Sequence, residues 1–187
     1  MYTILISILI GAASGAVWTV LELWKGWQMG IVLLFLVSAL AFVLISRVMA
    51  RRIEPHFLNV QKHIQAGQTQ IAINQLEELM PMSRWQILLK GQIHAQIGLL
   101  AFAGGDEKRA EEHLAKAGIR ATEAKLAHAA LEYRKGRKQQ AFEALDIAIR
   151  ANKKQIMPYH VYAWMLAKEG DRDAAINKLV EAEKVEK

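Results

Sequence analysis

The sequence predicts an all-α chain: two apolar helices at the N-terminus, then an array of stacked helical hairpins. Three observations predict it. Of the 24 Lys and Arg and 18 Asp and Glu, only Lys25 and Glu22 fall in the first 46 residues. Strictly alternating runs of β-branched residues are missing, proline occurs only at Pro55, Pro81 and Pro158, and good helix formers dominate. Finally, one pattern recurs in register: Gly, four residues, Ala, three residues, Leu, two residues, then Leu or Ala. It reads Gly67-Ala72-Leu76-Leu79, Gly105-Ala110-Leu114-Ala117, Gly136-Ala141-Leu145-Ala148 and Gly170-Ala175-Leu179-Ala182, with glycines 38, 31 and 34 residues apart.

The N-terminal segment reads as a transmembrane hairpin, with spans at about residues 2–21 and 29–46. Each is uncharged and close to the ~20 residues needed to cross a bilayer as a helix. The connector, residues 22–28, is too short to hold a domain, and Trp18, Trp24 and Trp27 flank it at the depth where tryptophan favours headgroups. Arg47, Arg51 and Arg52 follow span two, against Lys25 alone in the connector. By the positive-inside rule both termini are cytoplasmic in an inner or plasma membrane. The Gly11 and Gly15 face of span one allows close helix packing, against span two or against another membrane protein. The expected division is residues 1–52 for the hairpin and its basic flank, and 53–187 for the helical repeats.

The repeat has a direct physical reading. Each glycine ends a helix where a left-handed residue is wanted. Asp106 and Asp171 suit the first turn of the next helix, at the positive end of its dipole. Ala then lets two helices approach, Leu fills the space between them, and only stacked neighbours bury the shared face. The 38-residue spacing is expected to lengthen the helix over residues 83–103.

On these residues the array resembles tetratricopeptide repeats. The last repeat follows that signature with Tyr159, Tyr162, Ala163, Leu166, Gly170, Ala175, Leu179 and Ala182. The second carries Ile97, Gly98, Ala101, Gly105, Ala110, Leu114 and Ala117. The third keeps Ala129, Gly136, Ala141, Leu145 and Ala148 but has Lys125 and His128 where bulky apolar residues are usual. In the first, His56, Asn59, Val60 and His63 fit poorly. The resemblance implies an α-solenoid of about four helix–turn–helix repeats over residues ~54–185. A weaker likeness is to the HemY-type proteins, which join a two-span anchor to such repeats and are linked to haem synthesis.

The resemblance also implies a concave groove lined by the first helix of each repeat. Carried over by register, this gives Phe102, Tyr133, Arg134, His160, Trp164 and Lys168 as the partner-binding residues. Leu99 and Leu126 share that register but also suit a core. The clamp that some family members use for a C-terminal carboxylate would fall on Phe57 and Gln61, which cannot form it. Arg134, Lys135, Arg137 and Lys138, with Arg47, Arg51 and Arg52, form the candidate anionic-surface contact.

These readings point to a membrane-anchored scaffold or adaptor that binds other proteins at the cytoplasmic face. The alternatives are an accessory subunit docking its hairpin into a larger envelope-assembly or secretion complex, and a haem-associated role. An enzyme is not expected, since no nucleophile–base set or phosphate-cradling loop stands out. No cofactor is expected either, because cysteine is absent and the six histidines lack metal-ligand spacing. Nucleic-acid binding is not expected, and a small-molecule substrate is disfavoured.

Overall fold

The computed structural model describes residues 2–20, 27–85 and 88–186. Glu22, Trp24 and Lys25 of the connector lie outside the described residues, as does the side chain of Trp27. Among the described residues the chain is helical throughout, and by packing it divides into two compact units, Met1–Leu89 and Lys90–Lys187.

In the first unit, α1 (Tyr2–Val20) packs on α2 (Trp27–Gln65). The face α1 buries is small and polar: Thr3, Ser7, Gly11 and Gly15, spaced four apart. A Cβ on Gly11 would stand 1.8 Å from the Ser38 hydroxyl and 2.6 Å from the Leu34 carbonyl oxygen. One on Gly15 would come within 3.1 Å of the Gly30 carbonyl oxygen. The large apolar side chains point the other way. Leu5, Leu9, Phe35, Leu36, Leu40 and Val43 are all exposed. Both helices are long and apolar enough to cross a membrane.

The start of α1 is fastened within the same unit. Thr3 Oγ1 donates to the Trp85 carbonyl at 2.6 Å, and the Tyr2 and Trp85 rings lie 5.6 Å apart. Helix α2 does not stop after its apolar stretch. It continues through residue 52 and past Pro55, whose missing N–H removes one helical hydrogen bond, to Gln65. Its polar end is thus the first helix of repeat one. Gly67, at φ 73°, turns the chain back, and α3 (Thr69–Glu78) packs Ala72, Ile73 and Leu76 against α2.

The extra residues before repeat two do not lengthen a helix. A 3₁₀ turn, Met80–Arg84, opens on Pro81, and α4 begins only at Leu89 (Leu89–Ala103). Two bonds explain the correction. The Ser83 hydroxyl donates to the Met80 carbonyl at 2.6 Å and holds the tight turn. The Trp85 carbonyl, which a helix over residues 83–103 would pair with the Leu89 N–H, accepts the Thr3 hydroxyl instead.

The second unit is three hairpins: α4 with α5 (Glu107–Ala115), α6 (Thr122–Arg134) with α7 (Lys138–Ala151), and α8 (Met157–Lys168) with α9 (Arg172–Glu186). Each turn is made by a glycine of positive φ, Gly105, Gly136 or Gly170. Asp106 and Asp171 cap α5 and α9 by accepting from the Arg109 and Ala174 backbone N–H. Ala110, Leu114, Ala141 and Leu145 are fully buried, as the pattern requires. The last repeat departs from it: Ala175 and Ala182 are buried, but Leu179 is 47% exposed. The interior that would hold Leu179 is supplied in earlier repeats by the next hairpin, and α9 has none after it among the described residues.

Candidate binding groove

Helices α4, α6 and α8 are the first helices of their repeats, and their C-terminal ends gather one set of side chains. A cavity of about 500 Å³ is lined by Phe102, Ala130, Tyr133, Arg134, Trp164, Met165 and Lys168. Five of the six groove residues expected from register therefore meet. His160 does not: it is exposed one turn before Trp164 and outside the cavity. Leu99 and Leu126 pack against the cores instead.

The lining alternates rings and cations. The Tyr133 and Trp164 rings lie 6.0 Å apart, and Lys168 Nζ stands 5.1 Å from the Trp164 centroid and 5.8 Å from that of Tyr133. The Arg134 guanidinium sits 5.7 Å over the Phe102 ring. Cations over aromatic faces are attracted by the ring quadrupole, which here holds long side chains in place. Trp164 is nonetheless 57% exposed, a large apolar surface open to a partner. Tyr133 is fixed at its far end, where its hydroxyl donates to Glu169 at 2.7 Å. That bond first, then burial, raises the tyrosine's pKa, while Lys138 and then Tyr133 lower that of Glu169.

The basic turn between α6 and α7 is not free. Arg134 pairs with Glu107, Lys135 with Glu111, Arg137 with Glu111 and Glu132, and Lys138 with Glu169. These four cations join neighbouring repeats, so their charge is already matched by carboxylates. Arg47, Arg51 and Arg52 on α2 are exposed and form no ion pair among the described residues.

Sequence reasoning passed over a second cavity, of about 370 Å³, lined by α5, α6 and α7. It includes Lys125 and His128, seen in the sequence only as misfits, and Glu132, which drew no attention. The available signal was their spacing: all three fall at first-helix core positions of repeat three, and all three are polar.

No protein-family model and no curated protein matches the chain. Solved structures do. A crystal structure of MamA aligns with TM-score 0.60 at 17% identity, over 78% of this chain and 86% of that one. A second crystal structure, of MamA protein, gives 0.59 at 15% identity over 96% and 92%. A third, MamA MSR-1 C2, gives 0.52 at 13% over 66% and 71%. At such identities the likeness establishes the fold, a tetratricopeptide-like helical array.

Proposed function

We propose that this chain is an adaptor anchored in a bilayer by α1 and the first half of α2, presenting the groove of repeats two to four to a protein partner. The observation that carries the docking role is the exposed Trp164 in a ring of aromatics and cations, since interface hot spots are rich in Trp, Tyr and Arg. The anchor rests on the inverted hairpin: small polar residues inside and large apolar ones outside suit a hydrocarbon solvent, not water. Arg47, Arg51 and Arg52 then fall at the cytoplasmic surface, with the repeats on that side. The contact of Thr3 with Trp85 supports this, because it joins the start of α1 to residues beyond the first repeat.

Anchoring gives the groove its value. A partner held at a membrane surface meets other membrane components at high effective concentration. Gly11 and Gly15 pack against α2, so an accessory subunit would have to dock through the outer face of the hairpin.

Two measurements test the proposal. Full-length protein should stay in the membrane pellet after an alkaline carbonate wash; release into the supernatant ends the anchor reading. A photo-reactive amino acid at position 164 should give a discrete protein adduct in intact cells, reduced at least tenfold by Tyr133→Ala with Phe102→Ala. Equal adducts from position 164 and from Gln139, which lies outside the groove, would mean that the groove is misplaced.

A further inference from the structure

The first helices of the repeats can be aligned on the small residue at their centre, Gly98, Ala129 or Ala163. The three core positions around it are His94, Ile97 and Ala101 in repeat two, and Tyr159, Tyr162 and Leu166 in repeat four. In repeat three they are Lys125, His128 and Glu132. Charged groups at core positions cost stability unless each is matched, so this substitution of a whole set calls for an account.

Two of the three are matched. Glu132, 3% exposed, takes Arg137 and lies 3.4 Å from His128. Glu111 on the facing wall takes Lys135 and Arg137. Lys125 is different. It is 7% exposed, and its side chain makes no hydrogen bond or ion pair among the described residues. Burial holds its pKa below the ordinary lysine range, and burial likewise lowers that of His128, which favours a neutral imidazole. Both side chains line the 370 Å³ cavity, together with the Gln140 amide, Ala144 and Ile147. Glu143 stands at the edge, exposed, where water screens its charge.

We propose that this cavity is a binding site for a small organic carboxylate, whose anionic group pairs with Lys125 while its hydrocarbon part rests on Ala144 and Ile147. The charge balance selects the ligand. Arg137 and Lys135 are already spent on Glu111 and Glu132, leaving one buried ammonium for one incoming negative charge. A phosphate dianion would bring a second charge with nothing to meet it. The volume is at the low end for small-molecule sites, which suits a monocarboxylate of butyrate size. The site shares no residue with the groove of Phe102, Tyr133 and Trp164, so a soluble acid bound here would act on repeat three from another surface.

The test uses the full-length chain in detergent, with butyrate, acetate and inorganic phosphate as probes and sodium chloride at equal ionic strength as control. Acylation of Lys125 by an amine-reactive reagent is followed by peptide mass spectrometry. Butyrate should slow labelling of Lys125 saturably, at least fivefold, and leave Lys168 unchanged. Glu143→Gln should tighten this protection by removing a lining carboxylate that makes no ion pair among the described residues. Lys125→Met should abolish butyrate-dependent thermal stabilisation and melt no lower than the parent. Labelling that is unchanged by butyrate, equal protection by chloride, or stronger protection by phosphate would overturn the proposal. Should Lys125→Met fail to fold, the protection measured on the unaltered chain decides alone.

Discussion

The hairpin and the repeat array are both made of antiparallel helices, yet they are built inside out with respect to each other. In the array, leucines and alanines lie mostly within and, apart from Lys125 and Glu132, glutamates and lysines lie without. In the hairpin, Thr3, Ser7, Gly11 and Gly15 lie within, and Leu5, Phe35, Leu36 and Leu40 lie without. The difference teaches what drives each contact. The array is held by removing apolar surface from water. The hairpin is held by closeness, glycine against backbone and side chain, because its apolar surface is not what the contact hides.

Four experiments press on this contrast. The largest effect belongs to the array's interior. Leu145→Ala should cost about 4 kcal/mol, while the equivalent Leu179→Ala, already half open to solvent, should cost under about 1 kcal/mol by denaturant unfolding. Similar costs at both sites would mean that something covers α9. Next is the hairpin's outer face. Leu36→Lys should lose about 3 kcal/mol of insertion free energy and shift protein from membrane to soluble fraction, whereas the equally outward Ile176→Lys on α9 should leave partition unchanged.

The inner face of the hairpin should be nearly as sensitive. Gly11→Leu forces a side chain into Ser38 and Leu34 and should cost about 2–3 kcal/mol in resistance to detergent denaturation, with part recovered by adding Ser38→Gly. The smallest effect is with pH. His94 and His113 are buried with their Nδ1 atoms 3.3 Å apart. Burial first, then His113, Lys116 and Lys90, lowers the His94 pKa from 6.5. Protonation is then easier in the unfolded chain, so the contribution of His94 is complete above pH 6.5 and lost as pH falls through the depressed value. The array's melting temperature should drop over that range, and His94→Gln should flatten the drop.

How much of this was legible in the sequence differs by kind of contact. The glycine turns, the acidic helix starts at Asp106 and Asp171, and the buried Ala-Leu face were legible because they depend on a few residues within one hairpin. Register fixes which side of a helix a residue occupies, so five of the six expected residues line one cavity. His160 lies outside it, because register does not say where a cavity ends. The pairing of Arg134, Lys135, Arg137 and Lys138 was not legible. Their carboxylates lie 24 to 31 residues away for Glu107, Glu111 and Glu169, beyond any local pattern. Leu179 was read as core because the motif describes a residue and not the neighbour that must cover it. The helix expected over residues 83–103 failed on a contact from the other end of the unit, Thr3 to Trp85.

In the bilayer anchor proposed above, helix α2 would run from hydrocarbon into water as one helix. Its 39 residues make a rod of about 58 Å at ~1.5 Å per residue, with the apolar stretch at one end and the first repeat's packing surface at the other. Such a rod behaves as a lever. A tilt of about 10° at its apolar end would carry the far end sideways by roughly 10 Å on that length. Bilayer thickness, which sets the tilt of a span, would thereby steer where repeat one points, with no moving part besides the helix itself.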